Sequence, residues 1–415
     1  MSKMIIEGNH LLEGIVDISG AKNSAVALIP TAVLCDEAVS IENVPNITDI
    51  EALNDILEFL GAKVEYNGEI MKIDSSNIEN KDIPESIAIK LRASYYFMGA
   101  LLGRFKKVVM YFPGGCNIGT RPINLHLKGF ELMGAKVIEK DNQYIIEADE
   151  LKGTTIDLDI ASVGATINIM LAAVKAKGIT IIKNAAKEPE IENVALFLNN
   201  MGAKISGYGT NEITIEGVNK LHSSKVKVIP DRIEAGTYII AAALAGNNVK
   251  INNIIPFHLN SLIFKLKEMG ISIQEGKDYL IVSKSNNLKN IDIKTLVYPG
   301  FPTDLQQPLT TLLTQCEGLS ILEETIYENR FQNIAFLNKM GADIKIDKNI
   351  AYIKGKTPLK GQEVIATDLR AGACLVLAGL IAEGKTIINE AEHILRGYEK
   401  ITNKLNNLGA KIEII

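Results

Sequence analysis

Cysteine is scarce in this chain, and its few cysteines form no recognisable pattern. There are four in 415 residues: Cys35, Cys116, Cys316 and Cys374. No two of them have the Cys-x-x-Cys spacing of a zinc or redox site, and no histidine stands beside them. The sequence therefore argues against a disulfide framework and against a zinc site.

An excess of basic residues and long apolar runs are also lacking. The 44 lysines and arginines are outnumbered by 49 acidic residues, which gives a net charge of −5 and a pI near 5.7. This balance argues against a broad nucleic-acid surface, although a local basic cleft can exist on an acidic protein. The longest apolar run, 371–382, is shorter than the ~20 residues of a membrane span. The first residues lack an apolar signal core, so we expect a cytoplasmic protein.

The chain is long and apolar enough to bury substantial cores. Its 415 residues are 47% hydrophobic, which favours two soluble globular domains at the usual size of roughly 100–200 residues each. One pattern occurs six times at intervals of about 70 residues: a stretch with helical spacing, a glycine, and then alternating strand-like residues. The glycines are Gly61, Gly134, Gly202, Gly270, Gly341 and Gly409.

These glycines suit the left-handed residue that ends a helix and lets the chain turn into a strand. A hairpin follows several of them. In 63–73, for example, Asn67 and Gly68 predict a two-residue turn between two strands. The repeating unit is therefore predicted to contain both helix and strand.

Each repeat contains a second helix that is apolar on nearly every side, which is typical of a helix surrounded by other elements. These helices are predicted over 21–34, 89–103, 162–178, 231–246, 303–318 and 368–384. Polar residues gather near their N-termini: Ser19, Lys22, Arg92, Ser162, Asp231, Arg232, Asp304, Asp368 and Arg370. Helix N-termini attract anions, so parallel helices in two facing domains would form an anion-binding cleft.

A simpler interpretation of Ser162, Asp231 and Asp368 is that they only cap their helices. It does not extend to Lys22 and Arg92. A positive charge near a helix N-terminus opposes the helix dipole unless an anion joins it.

The segment 111–126 places Cys116 and Arg121 on a glycine-rich loop between two patterned elements. A thiol beside permanent positive charge ionises more readily, and loop glycines let a ligand approach the backbone. A tight loop in which Cys116 merely packs is the alternative.

Near Lys22 the spacing of a Walker phosphate loop is absent, which argues against an ATPase.

Nine motifs along the chain resemble those of the enolpyruvyl transferase family. They lie at 20–24 (Gly-Ala-Lys-Asn-Ser), 91–94 (Leu-Arg-Ala-Ser), 114–122 (Gly-Gly-Cys-Asn-Ile-Gly-Thr-Arg-Pro), 162–166 (Ser-Val-Gly-Ala-Thr), 230–234 (Pro-Asp-Arg-Ile-Glu), 301–304 (Phe-Pro-Thr-Asp), 328–331 (Glu-Asn-Arg-Phe), 368–371 (Asp-Leu-Arg-Ala) and 395–398 (Leu-Arg-Gly-Tyr). The resemblance implies an α/β fold, a two-domain inside-out α/β barrel built from six βαβαββ repeats. It also implies that 21–229 form one domain, and that 1–20 and 230–415 form the other.

The implied reaction transfers the enolpyruvyl group of phosphoenolpyruvate to the 3-hydroxyl of UDP-N-acetylglucosamine and releases phosphate. This would be the first committed step of peptidoglycan synthesis. The chemistry is an addition to a double bond followed by an elimination, so it needs an acid and a base. The resemblance assigns Cys116 as the acid and Asp304 as the base at the sugar hydroxyl. An N-cap role for Asp304 is the alternative.

Phosphoenolpyruvate carries a carboxylate and a phosphate, which suit arginine forks. The resemblance assigns it the cations Lys22, Arg92, Arg121, Arg330, Arg370 and Arg396, with Lys22 and Arg396 also counted as catalytic. From the sequence alone, Arg330 and Arg396 would be interpreted as members of surface salt bridges. No metal or other cofactor is implied.

The resemblance assigns the nucleotide sugar to three groups of residues, and it adds Ile326 as a further substrate-binding residue. Asn23 and Asp304 would hold the sugar; Ser162, Val163 and Gly164 the diphosphate; and Arg121, Pro122, Ile123, Asn124 and Leu125 the uracil. The family usually has aspartate where this chain has Asn124. An asparagine keeps one acceptor and gains donors, so a changed hydrogen-bond pattern with uracil is expected.

Two alternatives remain open at this stage. The shikimate branch of the same family shares the repeats and phosphoenolpyruvate but lacks the cysteine loop. A similar repeat also occurs in RNA 3′-phosphate cyclases and could serve an RNA-binding scaffold. For those functions we would expect a nucleotide-linked histidine or a basic track, and the sequence shows neither.

Overall fold

A computed structural model of the chain describes residues 2–114, 119 and 122–415. The chain divides into two compact units. Residues 20–114 and 122–229 belong to one, called here the N-terminal unit. Residues 2–19 and 230–415 belong to the other, the C-terminal unit.

The N-terminal unit contains three repeats, and two strands precede them. The chain begins with β1 (Lys3–Glu7) and β2 (Ile15–Asp17). The first repeat comprises α1 (Lys22–Thr31), β3 (Val39–Glu42), α2 (Thr48–Leu60), β4 (Lys63–Tyr66) and β5 (Met71–Asp74). The second comprises α3 (Glu85–Ala88), α4 (Tyr96–Phe105), β6 (Lys107–Tyr111), α5 (Asn124–Leu132), β7 (Lys136–Lys140) and β8 (Gln143–Glu147). The third comprises β9 (Thr155–Asp157), α6 (Val163–Ala173), β10 (Ile179–Lys183), α7 (Pro189–Asn200), β11 (Lys204–Ser206) and β12 (Glu212–Glu216), and β13 (Lys225–Lys227) follows it.

The C-terminal unit continues with three further repeats. The fourth repeat comprises α8 (Arg232–Ala245), β14 (Val249–Asn252), α9 (Asn260–Glu268), β15 (Ile273–Glu275) and β16 (Tyr279–Val282). The fifth comprises β17 (Ile293–Lys294), α10 (Thr303–Leu313), β18 (Gly318–Glu323), α11 (Gln332–Lys339), β19 (Asp343–Asp347) and β20 (Ile350–Gly355). The sixth comprises β21 (Glu363–Ile365), α12 (Leu369–Ile381), β22 (Lys385–Asn389), α13 (Glu392–Leu395), α14 (Ile401–Asn407) and β23 (Lys411–Ile414). Short 3₁₀ helices cover Ala32–Leu34, Arg92–Tyr95 and Pro256–Leu259.

The strands of the described residues form six sheets, three in each unit. In the third repeat β9 is parallel to β10, β10 is antiparallel to β12, and β12 is antiparallel to β11. Other repeats take one strand from a distant part of the chain. β13 pairs with β3, β2 pairs with β14, and β1 lies between β22 and β23. The N-terminal strands are thus built into the sheets of the C-terminal unit.

The six glycines of the repeat are left-handed, with φ between 90° and 110°, as the sequence predicts. Several of the helices before them are also fixed to the next strand by an asparagine. The side-chain amides of Asn199, Asn338 and Asn406 each donate to the carbonyl and accept from the N–H of the residue six positions on, at 2.8–3.1 Å. Each such amide satisfies the N–H and the carbonyl of a residue in a strand at the edge of its sheet.

The hairpin predicted at 63–73 is confirmed, but the two-residue turn is wrong. β4 and β5 pair up to Tyr66 and Met71, which leaves a four-residue loop. The reason is the Asn67 side chain, which accepts from the N–H groups of Glu69 and Ile70 at 3.0 and 2.7 Å. This side-chain cap stabilises the wider turn.

The helices predicted to be apolar on every side are confirmed as buried helices, with shorter limits. Nearly every residue of α6, α8 and α12 is buried. In the C-terminal unit α10 packs against α8 and α12, and in the N-terminal unit α4 packs against α1 and α6. Strands such as β10 and β12 bury alternate residues and so cover this interior with one face.

The helix predicted over 89–103 shows how the limits differ. Leu91 has extended backbone angles, so the helical part begins with the 3₁₀ turn at Arg92 and continues as α4 through Gly103 to Phe105. Among the described helices, none combines the length and apolarity needed to cross a membrane.

Candidate active site

In the C-terminal unit, the first turns of α10 and α12 are joined by a carboxylate and two guanidinium groups. Asp304 is the second residue of α10, and its Oδ1 accepts from Nη2 of Arg330 at 2.8 Å. Its Oδ2 accepts from Nη2 of Arg370, the second residue of α12, at 3.0 Å. Both arginine side chains are about 95% buried or more, whereas a quarter of the Asp304 side chain is exposed. We call these three residues the carboxylate–arginine cluster.

The cluster keeps Asp304 ionised. Burial alone would raise the pKa of this carboxyl, but the positive charges of Arg370 and Arg330 outweigh burial and hold the pKa well below its usual range. The ion pairs of Asp304 with Arg330 and Arg370 therefore stabilise the folded protein above the ordinary carboxyl pKa, and this stabilisation is lost as the pH falls. A carboxylate held by two guanidinium groups is a weak base until another anion draws them away.

The structure supports an N-cap role for Ser162, Asp231 and Asp368 but not for Asp304. Asp231 accepts from the N–H groups of Ile233 and Glu234, and Asp368 accepts from those of Arg370 and Ala371. Both are helix N-caps, as the simpler interpretation holds. Ser162 is also an N-cap, because its Oγ accepts from the N–H of Ala165 at 3.3 Å. For Asp304 the capping interpretation is wrong, because Pro302 occupies that position and the carboxylate bonds arginines instead.

The two arginines of the cluster retain donors that can serve a ligand. Within the part of the chain that the structure describes, Nε of Arg330 and Nη1 of Arg370 are buried and have no hydrogen-bond partner. Buried N–H groups are rarely left unpaired in folded proteins. Unpaired guanidinium donors beside a helix N-terminus point to an anionic ligand.

Tyr398 supports Arg370 from one side. The guanidinium carbon lies 5.4 Å from the centre of the buried Tyr398 ring, and the Tyr398 hydroxyl is 2.9 Å from Oγ1 of Thr237. Arg396, two residues earlier, directly follows α13 and is partly exposed. Ile326 is also partly exposed, in the segment between β18 and α11 that carries Arg330.

In the N-terminal unit, Lys22 and Asn23 are the first two residues of α1 and are both partly exposed. The Lys22 ammonium lies 2.8 Å from Oδ2 of Asp49, whose side chain is 3% exposed. Asp49 belongs to the first turn of α2 and was not singled out from the sequence. Its only sequence signal is a charged residue within an otherwise apolar helix face.

The N-terminus of α6 is surrounded by a second group of candidate residues. Ser162 caps the helix, and Val163 and Gly164 are its first two residues. Gly164 cannot be replaced without movement, because a Cβ there would lie 2.9 Å from the Tyr95 hydroxyl and from Cε1 of His126. His126 lies one residue beyond the predicted uracil segment and is not among the residues predicted for the site.

Hydrogen bonds determine which ring nitrogen of His126 carries its proton. Gly99 N–H donates to Oδ1 of Asn168 at 2.8 Å, which directs the Asn168 amino group towards the Tyr95 carbonyl and Nδ1 of His126. Nδ1 therefore accepts, and the proton is on Nε2. Burial, assisted by the positive charge of Arg92, lowers the pKa of His126 to about 3. His126 is thus a neutral donor beside the first turn of α6.

Replacing His126 by asparagine should weaken the loss of stability in acid. Its folded-state pKa lies below its ordinary value of 6.5, so protonation favours the unfolded chain, and stability falls as the pH drops from 6.5 towards 3. Between pH 7 and pH 5 this residue should cost about 2 kcal/mol of unfolding free energy. Denaturant titrations of the parent and H126N at both pH values measure the difference. H222N, at an exposed histidine, is the control; equal pH dependence in parent and H126N would contradict the assignment.

The last two residues of the predicted uracil segment 121–125 are the first two residues of α5. Ile123 and Leu125 are buried, whereas Pro122 and Asn124 are exposed, so the Asn124 side chain is accessible at the first residue of that helix. Cys116 and Arg121 lie outside the described residues. Among the described residues, no group of three or more His, Cys, Asp or Glu side chains is placed to hold a metal ion.

Comparison with known proteins places the chain in a family. The profile of EPSP synthase (3-phosphoshikimate 1-carboxyvinyltransferase) matches residues 6–405. A protein of Listeria monocytogenes named UDP-N-acetylglucosamine 1-carboxyvinyltransferase 2 is 53% identical over 410 residues, covering 99% of this chain and 97% of the relative. A Bacillus cereus protein of the same name is 54% identical over 413 residues, covering 99% and 96%.

Solved structures give the same result for the fold. The enolpyruvyl transferase NikO from Streptomyces tendae has a TM-score of 0.91 and 26% identity, with 100% of this chain and 98% of that chain covered. An EPSP synthase from Acinetobacter baumannii has a TM-score of 0.77 at 21% identity, with both chains fully covered, and shows the fold alone. The predicted two-domain inside-out α/β fold is confirmed. The chain belongs to the EPSP synthase family of enolpyruvyl (1-carboxyvinyl) transferases.

Proposed function

We propose that this protein transfers the enolpyruvyl group of phosphoenolpyruvate to the 3-hydroxyl of UDP-N-acetylglucosamine and releases phosphate. The observation that carries this function is the 53–54% identity, over 99% of the chain, to proteins named for that activity. The carboxylate–arginine cluster supplies chemistry that the reaction needs. The product enters peptidoglycan synthesis, so the protein serves formation of the bacterial cell wall.

In the addition step, the sugar 3-hydroxyl oxygen bonds to C2 of phosphoenolpyruvate while a proton is added to the C3 methylene. Asp304 accepts the hydroxyl proton, and Cys116 donates the proton to C3. In the elimination step, C3 loses a proton, the C2–C3 double bond forms again, and the C2–O bond to phosphate breaks. The products are the enolpyruvyl ether and inorganic phosphate, so no oxidant or reductant is required.

Arg330 and Arg370 connect binding to the acid–base chemistry. Both carry unpaired N–H groups, and both hold Asp304 in its weakly basic state. An anionic substrate that takes up these donors shares the positive charge with Asp304. The pKa of Asp304 then rises towards its usual range, so the carboxylate becomes a stronger base when phosphoenolpyruvate is bound. Lys22, Arg92, Arg121 and Arg396 complete the proposed set of cations.

The nucleotide sugar is assigned to the other candidate residues. The first turn of α6, with Ser162, Val163 and Gly164, offers backbone N–H groups to the diphosphate. Asn23 and Asp304 serve the sugar, Ile326 contacts it, and residues 121–125 serve the uracil with Asn124 in place of the family's usual aspartate.

The thiols of Cys35, Cys316 and Cys374 are free, which fits a reducing cytoplasmic location.

Phosphate release tests this function directly. The purified protein is incubated with phosphoenolpyruvate alone, with added UDP-N-acetylglucosamine, or with added 3-phosphoshikimate. We expect stoichiometric phosphate release only with UDP-N-acetylglucosamine, and a product heavier than that acceptor by one enolpyruvyl group in mass spectrometry. Phosphate release that occurs with 3-phosphoshikimate as acceptor, but not with UDP-N-acetylglucosamine, would assign the chain to the shikimate branch instead.

A further inference from the structure

A buried glutamate next to the carboxylate–arginine cluster has no role in the proposed reaction. Glu324 directly follows β18 and is 2% exposed. Its carboxylate accepts four hydrogen bonds. Oε1 accepts from Oγ1 of Thr295 at 2.9 Å and from the N–H groups of Ile326 and Tyr327 at 2.8 and 3.3 Å, and Oε2 accepts from Oγ1 of Thr303 at 2.9 Å.

The backbone of Glu324 is fixed as well. Its N–H donates to the carbonyl of Asn349 at 2.8 Å, and its carbonyl accepts from Nδ2 of Asn349 at 3.1 Å. Asn349 lies in the tight turn between β19 and β20. The backbone of Glu324 is therefore fixed to the β19–β20 turn by contacts separate from those of its carboxylate.

The two segments held by this carboxylate carry the two partners of one ion pair. Thr303 is the first residue of α10 and precedes Asp304, whereas Ile326 and Tyr327 begin the segment that leads to Arg330. Asp304 and Arg330 are 26 residues apart in the chain, and their 2.8 Å contact requires both backbones to be placed accurately. Glu324 bonds Thr303, the neighbour of Asp304, and the beginning of the segment that leads to Arg330.

We propose that Glu324 is a positioning residue, which aligns Asp304 with the Ile326–Arg330 segment by bonding Thr303 and the N–H groups of Ile326 and Tyr327. It does not touch the substrates. This inference rests on the proposed function, because it gives Glu324 its effect through the base Asp304 and through the sugar contact of Ile326.

A glutamate suits this position better than a glutamine does. Four donors converge on two oxygens, and a carboxylate accepts all of them without presenting a hydrogen of its own. A glutamine would place an amino group against a hydroxyl or an N–H donor, so at least one bond would be lost or reversed. Bonds from backbone N–H groups to an ionised acceptor are also stronger than those to a neutral one.

The kinetic test uses Thr303 and Glu324 together. We expect T303V, which removes one hydroxyl at nearly constant shape, and E324Q each to lower kcat/KM for UDP-N-acetylglucosamine by about 10-fold, the size of one lost hydrogen bond to a charged group. The double variant should be no worse than E324Q alone, because both changes break the same contact. T303S, which keeps the hydroxyl, should retain the parent value, and E323Q, at the neighbouring partly exposed ion pair with Lys294, should leave it unchanged.

A readout that does not depend on activity separates this inference from the proposed function. In crystal structures of T303V and E324Q, we expect the separation between Nη2 of Arg330 and Oδ1 of Asp304 to exceed hydrogen-bonding distance. An unchanged 2.8 Å contact in both variants would overturn the positioning role whether or not the protein is active. Additive effects in the double variant, or equal losses in T303S and T303V, would overturn it on the kinetic side. An inactive parent protein would overturn the proposed function alone.

Discussion

Replacing Asp304 by asparagine should lower kcat by about 10²–10⁴-fold, the usual contribution of a positioned general base. Asparagine has nearly the same shape and can still accept one hydrogen bond from Arg330 or Arg370, but it cannot remove the proton of the sugar hydroxyl. The loss should therefore fall on kcat more than on KM for UDP-N-acetylglucosamine. Steady-state phosphate release at saturating concentrations of both substrates measures it.

Two controls separate chemistry from folding in D304N. The variant leaves two buried guanidinium groups without their carboxylate, so its melting temperature should be lower than that of the parent. Circular dichroism must show that the protein is folded at the assay temperature. D343N changes an exposed aspartate of β19 and should keep the parental rate. A folded D304N with parental kcat would exclude Asp304 as the base.

Features determined by local backbone geometry could be predicted from the sequence. Gly61 and its five equivalents recur because a helix must end in a left-handed residue before the chain turns into a strand, and their φ values agree. The buried helices could also be predicted, because their apolar surface has no polar side. The four-residue turn at Asn67 could not, because it depends on one side-chain cap that competes with a common dipeptide preference.

Contacts between distant segments account for what the sequence did not show. From the residues alone Arg330 resembles a surface ion-pair partner, yet it is 97% buried against Asp304. Arg370 and Asp304 are 66 residues apart and meet only because α10 and α12 pack with their first turns together. Asp49, His126 and Glu324 were missed because a buried polar residue is recognised by its partners, and those partners lie on other elements.

Replacing Arg370 by lysine should raise KM for phosphoenolpyruvate by about 10–100-fold, with a smaller effect on KM for UDP-N-acetylglucosamine. Lysine retains the charge but loses the planar fork, which bonds Asp304 through Nη2 while Nη1 remains open for a ligand. A single ammonium must divide its donors between the two anions. The loss of one charge-assisted hydrogen bond, about 1.5–3 kcal/mol, corresponds to the stated range.

Both the planar fork and the positive charge of Arg370 should contribute to kcat/KM for phosphoenolpyruvate. R370M, which removes the charge as well, should fall below R370K in kcat/KM for phosphoenolpyruvate, because Asp304 then keeps Arg330 as its only described guanidinium partner. R104K is the matched control, since Arg104 belongs to the N-terminal unit, is 12% exposed and forms a 2.8 Å ion pair with Asp36. Initial rates with phosphoenolpyruvate varied at saturating UDP-N-acetylglucosamine give the comparison. If R370K binds phosphoenolpyruvate like the parent, the open Nη1 is not a substrate contact, and Asp304 would not gain basicity through Arg370 when the substrate binds.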